Sequence, residues 1–144
     1  MVSYEDTLAG KNVDHQSPVS LREHAHVLKG AWRGDEAIQY LDKALQLDEH
    51  DALSHYMRGH TLHWFGKSEE AIPNLERAAE LYAQQGPAQF YKEAKARWFL
   101  GRLLFELGDE AAARRSLQQA ADLYRSYGRA FDANAVLKDI ILTR

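Results

Sequence analysis

The stretch EAIQYLDKALQL (Glu36–Leu47) returns as EAIPNLERAAEL (Glu70–Leu81), and in looser form as AAARRSLQQAADL (Ala111–Leu123). In register, Ala37, Leu41, Ala44 and Leu47 match Ala71, Leu75, Ala78 and Leu81, and then Ala113, Leu117, Ala120 and Leu123. The spacing within each copy is i, i+4, i+7, i+10, the period of one helix face. Alanine on such a face lets two helix axes approach where leucine would hold them apart. A repeat of this kind decides the architecture before any single residue does.

Each copy follows another helical pattern. The clearest is AKARWFLGRLLFELGD (Ala94–Asp109), with an apolar stripe at Leu100, Leu103, Leu104 and Leu107. Gly101 interrupts that stripe although glycine weakens a helix interior, so close approach of a second helix is expected there. Gly101 stands twelve residues before Ala113, as Gly59 does before Ala71 and Ala25 before Ala37. Gly66 and Gly108 fall just past the expected helix ends, where a left-handed residue closes a turn. The unit is helix, tight turn, helix.

The Leu100-Gly101 pair, the Gly108-Asp109 turn and the Ala-x3-Leu-x2-Ala phrase of all three copies resemble the tetratricopeptide repeat family. The first two copies are 34 residues apart (37 to 71), the length of that repeat. The next step is 42 (71 to 113), so the helices around YAQQGPAQFYKEA should be longer. The resemblance implies an all-α solenoid of antiparallel helix pairs, about seven helices in a single domain over 18–144. The repeats fall at approximately 18–50, 51–86 and 87–128, and 129–144 forms a capping helix of the kind a solenoid needs. His55 and Arg58 depart from the family pattern, which usually has Trp and Leu there. The turn near Trp32-Arg33-Gly34 is expected to be irregular, with Trp32 a local packing anchor. Pro73 lies early in a second helix and removes one backbone donor.

Residues 1–17 carry no helical stripe and are expected to form a flexible tail. A sharper alternative has Tyr4 and Leu8 folding back into a groove. Ser17-Pro18 is a helix start with proline at the first helical position.

Composition narrows the function. The 144 residues carry a net charge of −3, with 45% hydrophobic and 27% charged residues. Residues 1–72 hold 7 Lys/Arg against 12 Asp/Glu, and residues 73–144 hold 11 against 9. Nothing in this balance invites nucleic acid. Without cysteine there are no disulfides, thiolate metal sites or cysteine nucleophiles. No apolar run is long enough to span a membrane, and MVSYEDTLAG is no secretory signal. A cytoplasmic location is the expectation. No nucleophile elbow, Ser/His/Asp arrangement or phosphate loop is present, so the protein is expected not to be an enzyme and to need no cofactor.

In a solenoid the first helix of each pair lines the concave side. At about 100° per residue, Tyr56, His60, His63 and Trp64 share one face, as do Lys95, Trp98, Arg102 and Phe105. In the first repeat the matching positions include Arg22, His26 and Lys29. The columns read Arg22/Tyr56/Trp98, His26/His60/Arg102 and Lys29/His63/Phe105. The resemblance implies a groove for an extended peptide or a partner helix, and this lining suits acidic and apolar side chains, because aromatics and Arg carry most interface energy. The partner-binding set is therefore Arg22, His26, Tyr56, His60, His63, Trp64, Lys95, Trp98, Arg102 and Phe105. The competing reading is burial of Trp64 and Trp98 as core. His60 and His63, three apart with His26 beside them, invite a metal, but no Asp or Glu shares the face to complete the set, and no metal site is expected. Val136, Leu137, Ile140 and Ile141 give the last helix more apolar surface than a cap needs, which leaves a homodimer or self-assembling scaffold as the alternative, with a small secretion-type chaperone beside it.

Overall fold

A computed structural model describes residues 2–142 of the chain. Among them are eight α-helices: α1 (Tyr4–Leu8), α2 (Pro18–Gly30), α3 (Gly34–Leu47), α4 (Ala52–Trp64), α5 (Ser68–Gln84), α6 (Phe90–Glu106), α7 (Glu110–Ser126) and α8 (Ala130–Leu142). Helix α2 packs on α3, α4 on α5 and α6 on α7, while α3 meets α4, α5 meets α6 and α8 lies against α7. This is an all-α solenoid of three helix pairs followed by a terminal helix.

The repeated small residues set its spacing. Ala37, Ala71 and Ala113 are fully buried, as are Leu41, Leu75 and Leu117. A Cβ on Gly59 would come within 2.9 Å of Leu75 Cγ and 3.3 Å of the Ala71 carbonyl oxygen; on Gly101 it would come within 2.7 Å of Leu117 Cδ2 and 3.2 Å of the Ala113 carbonyl oxygen. The partner helix therefore occupies the space a side chain would need. The longer step between the second and third copies is also visible. Helices α5 and α6 have 17 residues each against 14 in α3 and 13 in α4, and a short 3-10 turn at Pro87–Gln89 joins them. Helix α5 runs on through Pro73.

The turn at Trp32-Arg33-Gly34 is regular, contrary to expectation. The Arg33 N–H donates to the Leu28 carbonyl at 2.9 Å and the Trp32 N–H to that of Lys29 at 3.1 Å. Lys67 and Gly66 bond to Leu62 and His63 in the same pattern, and Asp109 and Gly108 to Leu104 and Phe105. These are the paired bonds that close a helix C-terminus. Trp32 takes the left-handed place (φ +60) held elsewhere by glycine.

The departures at His55 and Arg58 also have a structural basis. Arg58 Nε donates to Asp42 Oδ1 at 2.8 Å and Arg58 Nη1 to Asn74 Oδ1 at 2.7 Å, while Asn74 Nδ2 lies 3.2 Å from His55 Nδ1. A polar network thus ties α3, α4 and α5 together at positions where the family pattern has Trp and Leu.

Residues 1–17 contain helix structure that their sequence pattern does not announce. Ser3 caps α1 by accepting from the Asp6 N–H at 3.0 Å, and acidic Glu5 and Asp6 fill its first turn, where the helix dipole favours them. Leu8 packs on the core of Ala25, Leu28, Ala37 and Leu41. Tyr4 stays exposed, so of the two residues considered for fold-back only Leu8 packs down. The apolar surface of α8 is also smaller than expected. Val136 is fully buried, and Leu137 and Ile140 pack on the α7 core. Ile141 remains exposed at 64%.

Candidate functional site

The first helices of the pairs carry an aromatic ladder centred on His60. Its ring stacks at 5.4 Å on Phe99 of α6, and at 6.3 Å and 6.4 Å on Trp64 and Tyr56 of its own helix. The His63 ring meets Phe99 edge-on at 5.4 Å. These contacts follow from the helix period, because residues three and four apart on α4 share a face, and from the closeness of α6.

Two lysines flank the ladder. Lys29 Nζ lies 2.6 Å from His60 Nδ1 and 4.8 Å from the centre of the Trp64 ring. Lys95 Nζ lies 5.7 Å from the centre of the Tyr56 ring. Among the described residues no carboxylate pairs with either. Burial, then the Lys29 ammonium, then His63, Lys95 and His26 push the His60 imidazole down to about 4. It is neutral at ordinary pH and accepts from Lys29, so Lys29 supplies the charge and His60 orients it. Burial also lowers the Lys29 ammonium, as expected for a cation moved out of water.

Beyond the ladder a cavity of about 290 Å³ is lined by Tyr56, Lys95, Trp98, Phe99, Arg102 and Tyr124. Trp98 Nε1 donates to Asp139 Oδ2 of α8 at 2.6 Å, and Arg102 Nε lies 3.8 Å from the same oxygen. Trp98 therefore joins α6 to α8 and lines the cavity. Arg102 is exposed but its charge is partly balanced.

The ten residues expected to form one groove separate into groups. Tyr56, His60 and His63 come together around Phe99, with Trp64 stacked on His60 and Lys95 over Tyr56. Trp98 and Arg102 line the cavity with Asp139 behind them. His26 is exposed near Lys29 and Trp64. Two are drawn away. Arg22 pairs with Asp51, which also accepts from Ser54 Oγ at 2.6 Å, because the loop before α4 brings a carboxylate under α2. Phe105 packs half-buried on the α7–α8 core of Leu117, Ala121 and Val136. His63 is partly committed as well, with Nδ1 3.0 Å from Ser68 Oγ and 3.8 Å from Glu106 Oε2. Among the described residues no group of three or more His, Asp or Glu is placed to hold a metal.

Phe99 and Asp139 are site residues that the sequence reading missed. Phe99 stands beside Trp98 on the helix projection, and α6 turns Trp98 toward α8 and Phe99 toward α4. The signal was available in the adjacent pair Trp98-Phe99, which has to serve two neighbours. Asp139 had none, because it depends on how the last helix docks.

The tetratricopeptide repeat family matches the chain over residues 50–126. The chain belongs to that family. Among solved structures, a crystal structure of MamA is 21% identical, covers 94% of this chain and 82% of its own, and superposes with a TM-score of 0.60. A second crystal structure of MamA protein is 20% identical with coverage of 97% and 78% and a TM-score of 0.58. YrrB, described as a TPR protein with an unusual peptide-binding site, is 19% identical with coverage of 96% and 91% and a TM-score of 0.46. At these identities the likeness to MamA is one of fold. No curated protein sequence matches the chain. Among the described residues no helix is long and apolar enough to cross a membrane.

Proposed function

We propose that the protein is a non-catalytic interaction module whose concave face binds an extended protein segment carrying acidic and aromatic or large apolar side chains. One observation carries the reading: Lys29 and Lys95 flank the Trp64–His60–Tyr56 ladder, and among the described residues no carboxylate neutralises them. Rings provide large contact area at low entropy cost. Unpaired cations beside them favour acidic partners and repel basic ones. The cavity at Trp98 and Phe99 then receives an apolar side chain of the same segment. Selection from a display library of random twelve-residue peptides tests this. Enrichment of sequences in which Asp or Glu flank an aromatic residue supports it, and enrichment without acidic bias rejects it.

Self-association through α8 is the second reading. Phe131 is 86% exposed and Ile141 64% exposed on α8. Sedimentation of wild type and Phe131→Asp across a concentration range separates the two readings, since a concentration-independent monomer removes self-association.

A further inference from the structure

Positions 32, 66, 108 and 128 close the turns after α2, α4, α6 and α7, and all four have left-handed φ: +60, +82, +88 and +73. Three are glycine and the first is tryptophan. An indole is disfavoured in that conformation, and burial does not hold it there, because Trp32 is 71% exposed. What surrounds it is built for the ring. Trp32 meets Phe65 edge-on at 5.8 Å and lies 5.9 Å from Trp64 at an interplanar angle of 38°. Phe65 in turn sits on Gly34, where any Cβ would fall within 2.6 Å of the phenyl ring. Trp64 is itself half exposed and carries Lys29 over its face.

The result is a notch of about 220 Å³ at the turn rim, lined by His26, Lys29, Gly30, Trp32 and Trp64. Its walls are two splayed indoles and two basic groups. The nearby carboxylates are engaged elsewhere: Glu36 forms a two-point pair with Arg33 at 2.7 Å, and Asp35 lies 3.4 Å from Lys67.

We propose that this notch docks an aromatic side chain flanked by carboxylates, presented by an extended segment of a partner protein. A ring seated against the notch meets the exposed parts of both indoles, offset or edge-on, the geometries aromatic pairs prefer. A neighbouring carboxylate meets Lys29, whereas a neighbouring lysine meets like charge. Fixing Trp32 in a strained turn makes sense for such a site, since residues held in sparsely populated backbone regions cluster at ligand clamps. The inference rests on the acidic–aromatic partner chemistry proposed above, but it places one anchor at the rim, outside the concave cavity.

The chain has three tryptophans, so its indole N–H groups give three signals in a proton–nitrogen correlation spectrum, assigned with Trp32→Gly, Trp64→Phe and Trp98→Phe. Trp32→Gly is a safe variant because glycine fills the other three turns. The probes are three capped tripeptides, Asp-Phe-Asp, Asp-Ala-Asp and Lys-Phe-Lys, titrated to millimolar concentration. Saturable shifts of the Trp32 and Trp64 signals with Asp-Phe-Asp, absent with the other two and lost for Trp64 in Trp32→Gly, are expected. No shift of Trp32, or equal shifts with all three probes, overturns the notch. A shift confined to Trp98 overturns the notch while leaving the concave groove reading standing; no shift of any indole counts against both.

Discussion

The Lys29 ammonium lies 2.6 Å from the Nδ1 of His60, and the two side chains come from the first helices of neighbouring repeats. This contact joins the positive charge of α2 to the aromatic ladder of α4. Burial first, and then this contact, hold His60 neutral, because a second positive charge so close to Lys29 is unfavourable.

A pH dependence follows. The folded imidazole of His60 is pushed down to about 4, below its ordinary value near 6.5. The fold therefore favours neutral His60. The associated stability is fully present above pH 6.5 and is lost as pH falls from 6.5 toward 4, by up to roughly 3 kcal/mol. Burial lowers His24 as well, with the same sign. The thermal midpoint of the wild type is expected to fall across that window, and that of His60→Gln to fall less. Parallel pH profiles for the two proteins would contradict the assignment.

The two helical glycines give a packing test. Gly59→Ala and Gly101→Ala each place a methyl group against a fully buried leucine and a backbone carbonyl. Each is expected to destabilise by about 1–3 kcal/mol, although alanine is the better helix former. Gly30, at the end of α2, has nothing within 4 Å of an added Cβ, and Gly30→Ala is expected to be neutral or to stabilise by up to about 1 kcal/mol. Urea denaturation of the three variants checks the contrast.

Much of this packing is legible in the sequence, because it rests on period and size. The recurrence of Ala37, Ala71 and Ala113, and of Gly59 and Gly101, identifies helix faces that touch. The long step between the second and third copies correctly gives longer helices. The site is less legible. A helix projection assigns a face, but not which neighbour that face meets. Phe105 belongs to the same projected face as Trp98 and Arg102, yet it packs half-buried on the core that α7 and α8 share. Arg22 points into the expected groove until the loop before α4 delivers Asp51 beneath it. Contacts between distant segments, such as Trp98 with Asp139, have no periodic signal at all.

Trp32→Gly tests the strained turn. A non-glycine residue in the left-handed region costs roughly 1–2 kcal/mol, and glycine removes that cost. The variant also loses ring contacts with Phe65 and Trp64, each worth about 0.5–1.5 kcal/mol. The two effects oppose each other, so a net change within about 1 kcal/mol is expected. A loss of several kcal/mol in thermal unfolding would mean that Trp32 is a core residue in spite of its exposure.

Arg22→Ala separates structure from binding. Its guanidinium and the Asp51 carboxylate are both largely buried, at 16% and 15% side-chain exposure. Removing one partner leaves the other uncompensated and is expected to lower stability by about 1–3 kcal/mol. Affinity for a peptide selected by the wild type should be unchanged, because the side chain does not reach the ladder. Loss of affinity at unchanged stability would return Arg22 to the binding surface.

The most direct test of the concave surface is a charge swap. An acidic–aromatic peptide and its counterpart with every acidic residue replaced by lysine are titrated calorimetrically into the wild type and into Lys29→Glu/Lys95→Glu. Wild type is expected to prefer the acidic peptide by at least about tenfold, as two unscreened charge contacts of roughly 0.7 kcal/mol each would give, and the double variant to reverse the preference. Equal affinities of both proteins for both peptides would contradict the proposal that Lys29 and Lys95 select the partner.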